Sequence, residues 1–389
     1  VGAGDLQRFQ AAYVGASYTP PAQNATPTAQ RARRTGGGYR PPQPFTSAFI
    51  PETRPVQVIE PERPEPEQEP EGEPITIMET VLQQFARHGR PAHKMWLPPL
   101  STPPTLDRLA PAVQPGTLQI PWALVDKPRQ QRQDVWSVDL SGSGGHVAVI
   151  GGPQSGKSTA LQTLVVSAAL THTPEQVQFY CLDFSGGLSG LRGLPHVGSV
   201  GSSRDGDRIR RTFALINNLL QLRQNLFTEL NIDSMREFRR RRNSPAESAE
   251  LNARGDIHGD VFLVIDGWDI GFAPNGPYYD DYYSAVESIA VQGLNYGIHL
   301  VVSSSRWAAI RPAIKDLIQT RLEMRLGDLS DTVFTAHRNV VGAIPTNRPG
   351  RCVSSDALHM LTALPRSDGD GNPETASAGL AATIAQLSE

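Results

Sequence analysis

Cysteine, long apolar runs and net charge are all scarce in this sequence of 389 residues. Its two cysteines, Cys181 and Cys352, lie in apolar stretches, so we expect buried thiols of a reducing compartment rather than a disulfide or a metal site. No apolar run approaches the ~18–20 residues that cross a bilayer and no secretory signal is visible, so we expect a soluble chain. The net charge of −3 excludes a strongly basic nucleic-acid-binding protein, although a local basic patch would not show in the sum.

Proline and glycine are abundant instead, and proline is concentrated near the N-terminus. Residues 19–74 are rich in proline, and residues 51–74 alternate proline with glutamate. Such a segment buries too little apolar surface to offset its ordering entropy, so 19–74 is predicted to be an extended linker. Within it, the apolar island PFTSAFI at 44–50 is either a docking peptide or a short strand-like stop. The chain begins with Val1, so we expect it to be a piece of a longer protein.

An alternation of strands and helices begins near residue 120, after a predicted helix over 75–89. Apolar runs predict four strands, at 146–151, 177–184, 261–266 and 298–305. Helical patterns are found at 157–172, 204–227 and 278–297. This order predicts an α/β fold with a mostly parallel sheet and helices on both of its faces.

The segment GGPQSGKST fits the spacing G-x-x-x-x-G-K-[ST] of a phosphate-binding loop. It follows a predicted strand and opens a predicted helix, which is the context that this motif requires. Its glycines let backbone N–H groups face the phosphates at the positive end of the helix. Lys157 is expected to reach the β- and γ-phosphates of ATP, Ser158 to bind Mg²⁺, and Thr159 to contact the α-phosphate. The predicted nucleotide-binding residues are Gly151, Gly152, Pro153, Gln154, Ser155, Gly156, Lys157, Ser158 and Thr159.

The strand VFLVID ends at Asp266, which is predicted to complete the Mg²⁺ site; the alternative is an aspartate that caps the next turn. Gly267 follows and cannot polarise water. Asp269 either swings toward the γ-phosphate as a base or caps a loop. At the end of the fourth strand, Ser305 and Arg306 of SSSRW stand where motor ATPases place a γ-phosphate sensor. The alternative for Arg306 is a surface salt bridge.

Taken in order, these motifs resemble the FtsK/SpoIIIE-type ATPases, and within them the EccC motors of type VII (ESX) secretion systems. The resemblance covers about residues 75–365, and implies a RecA/FtsK-like P-loop NTPase fold. It rests on the phosphate-binding loop, VFLVIDGWD, NYGIHLVVSSSRW, IKDLIQTRLEMRL and NRPGRC. MWLPPL with PPTLDRL, and GDVFLVIDGWD, are more specific and point to EccC.

The resemblance also implies a domain organisation, because EccC proteins carry three such ATPase domains in tandem after a membrane anchor. Residues 1–18 then correspond to the tail of a preceding ATPase domain and 75–365 to the third domain. Residues 366–389 are expected to form a polar C-terminal segment with a short helix. A faint similarity between GAGDLQRFQAA and SSDALHMLTA agrees with a repeated domain, and chance explains it equally well.

By the same resemblance, the chain is expected on the cytoplasmic side of the plasma membrane, with other EccC domains and secretion-complex subunits as partners. The implied cargo is the exported WXG100-type heterodimer, and the implied assembly is a homo-hexamer. Active members have a glutamate where this chain has Gly267 and a glutamine where it has Ser305. Removing a positioned base typically slows a reaction by ~10²–10⁴-fold. We therefore expect ATP and Mg²⁺ to bind with weak or no hydrolysis.

Two other functions remain as alternatives, a competent ring-forming FtsK-like ATPase and a DNA translocase. Gly267 and Ser305, which replace the glutamate and the glutamine of active members, disfavour a competent ATPase. The pI near 6.3 disfavours the second, and we do not expect nucleic acid as a partner.

Three further features carry charge or aromatic rings without a settled role. The run RRRR at 239–242 is either a solvated helix face or a phosphate-binding patch. Arg208, Arg210 and Arg211 lie on a predicted helix, where one of them could act as an arginine finger toward a neighbouring protomer. The cluster YYDDYY at 278–283 either lines a peptide groove or covers the sheet edge.

Overall fold

The computed structural model describes residues 13–18, 75–86, 97–110, 117–272, 274 and 276–388. The predicted linker at 19–74, with its apolar island, lies outside the described residues, as does most of the predicted domain tail at 1–18. The chain divides into two compact units, Val1–Lys94 and Met95–Glu389.

The described part of the first unit contains the helix α1 (Ile77–Phe85), which is the predicted helix in a shorter form. Thr76 and Glu79 form a capping box at its start, in which each side chain accepts the backbone N–H of the other residue. Ser17 pairs with Thr76 in an isolated antiparallel bridge. None of the side chains of α1 is buried. The predicted domain start at residue 75 falls inside this unit, and the domain limits stay predictions.

Within the described residues, the second unit is built on a ten-stranded sheet. Its strands are β1 (Gln119–Lys127), β2 (Arg132–Asp139), β3 (Val147–Ile150), β4 (Val177–Asp183), β5 (Val197–Ser202), β6 (Asp260–Asp266), β7 (Ile298–Ser304), β8 (Thr320–Met324), β9 (Arg351–Val353) and β10 (His359–Thr362). Their spatial order is β2-β1-β10-β9-β8-β3-β7-β6-β4-β5. The strands from β8 to β5 in this order run parallel, whereas β9, β10, β1 and β2 pair antiparallel.

Helices cover both faces of this sheet. They are α2 (Leu106–Leu109), α3 (Lys157–Thr171), α4 (Gly206–Glu229), α5 (Met235–Arg242), α6 (Pro245–Ala253), α7 (Trp268–Gly271), α8 (Tyr279–Gln292), α9 (Pro312–Lys315), α10 (Arg338–Gly342) and α11 (Ala376–Ser388). One core contains Leu161 and Leu164 of α3 with Leu380 of α11. A second core contains Phe213 of α4 with Val286 of α8. The sheet is thus buried on both faces, which is why its central strands are continuously apolar.

The predicted α/β fold with a mostly parallel sheet is confirmed, and the four predicted strands are β3, β4, β6 and β7. Their register determines the site. Asp183 at the end of β4 lies beside Asp266 of β6, and Ile150 at the end of β3 lies between Ser304 of β7 and Glu323 of β8. The carboxyl ends of these parallel strands meet at one edge, where open α/β sheets bind their ligands.

The arginine run on α5 is only partly solvated, because Arg240 is exposed, Arg239 and Arg241 are half-buried and Arg242 is buried. Arg239 forms two hydrogen bonds with Asp260, at 2.7 and 2.8 Å, and Arg242 donates to the carbonyl of Asp256 at 2.6 Å. Arg240 pairs with the carboxylates of Glu237 and Glu247, and Arg241 also pairs with Glu237. The charges of the run are therefore matched inside the unit.

The aromatic cluster at 278–283 packs on the second core. Tyr282 stacks on Phe213 with ring centroids 4.6 Å apart, and Tyr278 stacks on Phe184 at 5.3 Å. These contacts support the interpretation that the cluster covers the sheet.

The prediction of buried thiols is confirmed. Cys181 and Cys352 are both free and buried, and burial raises the pKa of the Cys352 thiol to about 12. None of the described helices is both long and apolar enough to cross a membrane.

Candidate nucleotide-binding site

The phosphate-binding loop joins the end of β3 to the start of α3, and the ends of β7 and β8 hold its first residues. The N–H of Gly151 donates to the carbonyl of Ser304 at 3.1 Å, and that of Gly152 donates to the carbonyl of Arg325 at 2.7 Å. The loop is tight, because a Cβ on Gly151 would approach Oγ of Ser155 to 2.6 Å. Glycine is therefore required at position 151 on steric grounds.

The second half of the loop packs against a distant turn. Gly156 has a φ of +100°, and a Cβ there would lie 2.8 Å from the backbone nitrogen of Gly350. The N–H of Gly350 donates to the carbonyl of Ser155 at 2.8 Å. Oγ of Ser155 is buried and has no hydrogen-bond partner within the described residues. Since buried hydroxyls are normally paired, this atom fits a loop that receives a phosphate oxygen.

Lys157, the first residue of α3, curls back over the loop. Its Nζ donates to the carbonyls of Gly151 and Gly152 at 2.8 and 2.9 Å. Burial lowers the pKa of Lys157, and the carboxylates of Asp266 and Asp269 oppose this effect. The ammonium group therefore lies among the groups that the sequence assigns to the phosphates and the ion.

Asp266 is the centre of a hydrogen-bonded group at the end of β6. It accepts a hydrogen bond from Oγ of Ser158 at 2.7 Å and another from the hydroxyl of Ser303. Oγ of Ser303 in turn accepts the N–H of Gly267 at 2.9 Å. Burial raises the pKa of Asp266, whereas the two hydroxyl donors and Lys157 lower it. A serine hydroxyl beside a carboxylate suits Mg²⁺, which prefers oxygen ligands and keeps part of its shell for phosphates and water.

A side chain at the position after Asp266 would need a left-handed backbone and a shift of the exposed Ser185. Gly267 has a φ of +85°, and a Cβ there would come within 2.5 Å of Oγ of Ser185. Asp269, two residues on, accepts hydrogen bonds from the N–H and the Oγ of Ser305, at 3.2 and 2.6 Å. Asp269 and Ser305 are thus bound to each other, and the loop interpretation of Asp269 has geometric support.

Arg306 is exposed at the rim of a cleft of about 510 Å³. Gly152 and Pro153 of the phosphate-binding loop and Ser305 also line this cleft. The neighbouring Gln154 is exposed with a φ of +55°, and Thr159 is half-buried in the first turn of α3. The structure brings Lys157, Ser158 and Asp266 together and leaves Arg306 at the margin. The roles of all these residues remain predictions.

Two buried acids at this edge were not predicted. Asp183 ends β4 and binds the loop that follows it through three backbone N–H groups. Glu323 on β8 accepts the indole N–H of Trp307 at 2.7 Å and the N–H of Val333 at 2.8 Å, and burial raises its pKa. The only signal for Asp183 was an aspartate at the end of an apolar run, and Glu323 gave none.

Residues 118–368 match the FtsK/SpoIIIE family, which is more than half of the chain. The chain belongs to the FtsK/SpoIIIE family. This is a family of P-loop ATPases, so nucleotide binding is implied by the fold. The match contains the phosphate-binding loop, β6 and β7, and so includes every predicted site residue.

Curated relatives are EccC proteins. This FtsK/SpoIIIE chain is 43% identical over 399 residues to the ESX secretion system protein EccC of Thermomonospora curvata, with 99% of the chain and 29% of the relative covered. It is 41% identical over 319 residues to EccCb1 of the ESX-1 system of Mycolicibacterium smegmatis, with 82% of the chain and 52% of the relative covered. The chain thus spans about a third to half of the length of these relatives.

Solved structures give the same result. The cytoplasmic domain of the Thermomonospora curvata type VII secretion ATPase EccC matches with a TM-score of 0.73 and 46% identity, covering 80% of this chain and 37% of that one. ATPases 2 and 3 of the same EccC, solved in complex with a signal sequence peptide, match with a TM-score of 0.68 and 47% identity, covering 75% and 53%. The chain is therefore similar to EccC proteins, as the motifs predicted.

Proposed function

We propose that this chain binds ATP with Mg²⁺ and hydrolyses it weakly or not at all, as the C-terminal ATPase module of a type VII secretion motor. The observation that carries the proposal is the contrast between two neighbouring positions. Ser158 and Asp266 are hydrogen-bonded in an arrangement that suits an ion, whereas a side chain at Gly267 would collide with Ser185. The binding groups are intact, whereas a side chain at the position of the catalytic base would need a left-handed backbone and a shift of Ser185.

Each binding group has a defined part in this proposal. The loop from Gly151 to Thr159 surrounds the phosphates with backbone N–H groups, and Lys157 exchanges its two carbonyl partners for phosphate oxygens. Ser158 and Asp266, whose side-chain oxygens are hydrogen-bonded to each other at 2.7 Å, would hold Mg²⁺. When bound, the ion neutralises phosphate charge.

The weak hydrolysis follows from the carboxylates that are left. Asp269 is nearest in sequence to the missing base, but the N–H and the hydroxyl of Ser305 both bind it. These hydrogen bonds tie the Asp269 carboxylate to Ser305, whereas a general base must lie within hydrogen-bond reach of the attacking water. ATP then acts as a structural ligand that stabilises the folded state by mass action.

The test compares ATP affinity, measured by calorimetry with Mg²⁺, with turnover of the same preparation. We expect tight binding and a turnover below ~1 per second, the lower end of the usual range. Lys157→Ala abolishes the binding, and Lys315→Ala is the matched control that leaves it unchanged. A turnover of several per second that Lys157→Ala removes would falsify the proposal in favour of a competent ring-forming ATPase.

The proposed cargo is a WXG100-type heterodimer, recognised through its C-terminal signal. Similarity to an EccC fragment solved with a signal sequence peptide supports this. Other EccC domains and secretion-complex subunits are the proposed partners, in a homo-hexamer on the cytoplasmic side of the plasma membrane. DNA translocation is the remaining alternative, and salt-dependent binding of duplex DNA would favour it.

A cleft of about 1000 Å³ at the amino ends of β3 and β7 is the proposed peptide site. It lies at the sheet edge opposite the phosphate-binding loop. Its lining mixes polar residues, among them the acidic Asp233 and Asp316, with apolar ones, among them Phe227, Val291 and Leu294. Val291→Glu is expected to abolish calorimetric heat with a signal peptide, because Val291 is 57% exposed and lines the cleft. Ile257→Glu is the control at a side chain that is 58% exposed. Equal heats for the two variants would show that the peptide binds at a different surface.

A further inference from the structure

A five-residue loop, Phe184–Leu188, follows β4, and the carboxylate of Asp183 binds three of its backbone N–H groups. Asp183 is 4% exposed, and its Oδ1 accepts the N–H groups of Gly186 and Gly187 at 2.7 and 3.0 Å. Its Oδ2 accepts the N–H of Leu188 at 2.9 Å. A carboxylate that receives several backbone N–H groups is well satisfied, so Asp183 fixes the path of the loop.

The loop touches the pair of residues assigned to the ion. A Cβ on Gly187 would lie 2.7 Å from Oγ of Ser158, closer still to its Cβ, and 3.2 Å from Oδ2 of Asp266. Real Cβ atoms do not come this close, so the backbone of Gly187 is in direct contact with Ser158. Gln162, one turn further along α3, donates its Nε2 to the carbonyl of Gly187 and holds the loop from the other side.

The opposite side of the loop faces the position of the missing base. A Cβ on Gly267 would meet Oγ of Ser185 at 2.5 Å and Cβ of Phe184 at 3.4 Å. The same short loop therefore borders the Ser158–Asp266 pair and fills the space beside Gly267. Neither fact was visible in the sequence, because the loop and Asp266 follow different strands.

We infer that Asp183 is a positioning residue, which holds Gly187 against Ser158 and Asp266 and so sets the spacing at which that pair binds the ion of a nucleotide complex. This inference rests on the proposed function, because it concerns the metal pair of the same site. It assigns the loop a role in metal-dependent nucleotide binding and none in binding the phosphates themselves. The backbone of Gly187 is the point of contact, and Asp183 acts only through the loop.

The experiment measures ATP affinity by calorimetry twice for each protein, with excess Mg²⁺ and with EDTA. The readout is the ratio of the two affinities, which a merely destabilising change does not move. In Gly187→Ala the methyl group pushes Ser158 and Asp266 apart, so we expect this ratio to fall by ~10–100-fold, the usual effect of disturbing groups that support a metal site. Affinity in EDTA is expected to stay close to that of the wild type.

Two further variants complete the test. Asp183→Asn keeps the side-chain volume but brings an NH₂ group toward the loop N–H donors, so we expect the ratio to fall as in Gly187→Ala. Gly206→Ala is the matched control, because a Cβ there meets nothing within 4 Å. Thermal unfolding without ligand verifies that each variant is folded. If Gly187→Ala does not fold, the ratio measured for Asp183→Asn alone tests the positioning role.

The outcomes separate the two proposals. Wild-type binding that depends on Mg²⁺, with an unchanged ratio in both Gly187→Ala and Asp183→Asn, overturns the positioning role alone. Wild-type protein without Mg²⁺-dependent ATP binding overturns the proposed function itself, and the positioning role with it. A lowered ratio in both variants and a normal ratio in Gly206→Ala supports the inference.

Discussion

The hydroxyl of Ser303 donates a hydrogen bond to the carboxylate of Asp266 and accepts one from the N–H of Gly267. Ser303 is fully buried on β7, and Asp266 ends the neighbouring strand β6. One side chain therefore satisfies both the acid assigned to the ion and the backbone of the glycine that follows it.

Removal of this hydroxyl is expected to destabilise the fold and weaken the site together. Ser303→Ala leaves a buried carboxylate oxygen and a buried N–H without their partner, which costs about 1–3 kcal/mol of unfolding free energy. Urea unfolding measures this, and calorimetry measures the accompanying loss of Mg²⁺-dependent ATP affinity. Ser167→Ala is the control, since Ser167 is also buried but donates to the carbonyl of Pro121 at 2.6 Å. It is expected to reduce stability without affecting ATP; an effect on ATP affinity in this control would contradict the assignment.

Restoring the glutamate of active relatives is expected to fail. In Gly267→Glu the residue must adopt a left-handed backbone, which costs about 1–2 kcal/mol, and its Cβ collides with Ser185. We expect a lower melting temperature and no gain in ATP turnover. Gly142→Glu is the control, because a Cβ at Gly142 meets nothing within 4 Å. A rise in turnover of roughly 10²-fold in Gly267→Glu would disprove the steric argument.

The buried pair of Arg223 and Asp256 is expected to dominate the stability of the α4–α6 region. Both side chains are fully buried and their closest distance is 2.9 Å. Asp256→Ala leaves the Arg223 guanidinium without its counter-ion, which costs about 3–5 kcal/mol. Asp207→Ala removes the partner of Arg210 from an exposed pair and should have no measurable effect. Equal losses in the two variants, measured by urea unfolding, would refute this ranking.

Stability is expected to fall as the pH is lowered from about 6.5 to about 3, because of His146. Its Nδ1 accepts the N–H of Leu300 at 2.9 Å, and burial, with the nearby His299, lowers its pKa to about 3. The unfolded chain, with a pKa near 6.5, binds the proton more readily, so stability rises with pH across this window by up to ~1.4 kcal/mol per unit and is constant above it.

His146→Gln keeps an acceptor and a donor at this position and should flatten the slope. Part of the dependence of the unfolding free energy on pH remains in this variant, because burial also lowers the pKa of His196, His258 and His359. Urea unfolding at a series of pH values measures both proteins. Identical slopes would show that His146 does not titrate on unfolding.

Local patterns were enough to predict four of the six parallel strands of the described sheet and the phosphate-binding loop. The strands β3, β4, β6 and β7 are mostly apolar, because helices bury both of their faces, and the loop has a fixed spacing of residues. The edge strand β5 reads VGSVGS and lacks that apolar signal. The strands β9 and β10 are only three and four residues long, and β1 pairs with β10 from the other end of the unit.

Contacts between distant segments could not be predicted in this way. The arginines at 239–242 looked like one surface, but Asp260 and Asp256 bring Arg239 and Arg242 inward. The fit of Gly187 against Ser158 likewise depends on the ends of β4 and β6 being neighbours in the sheet. Sequence patterns predict which groups bind phosphate, whereas the contacts that surround these groups arise from the folded sheet.

Gly350 links the phosphate-binding loop to β10 through two backbone hydrogen bonds. Its N–H is bound by the carbonyl of Ser155, and its own carbonyl accepts the N–H of Thr362 in β10 at 2.9 Å. Amide protons change their NMR frequency when the hydrogen bonds around them change. The amide signals of Gly350 and Thr362 should therefore shift when the loop binds nucleotide. A titration with unlabelled nucleotide can then be followed at Thr362, in the antiparallel part of the sheet.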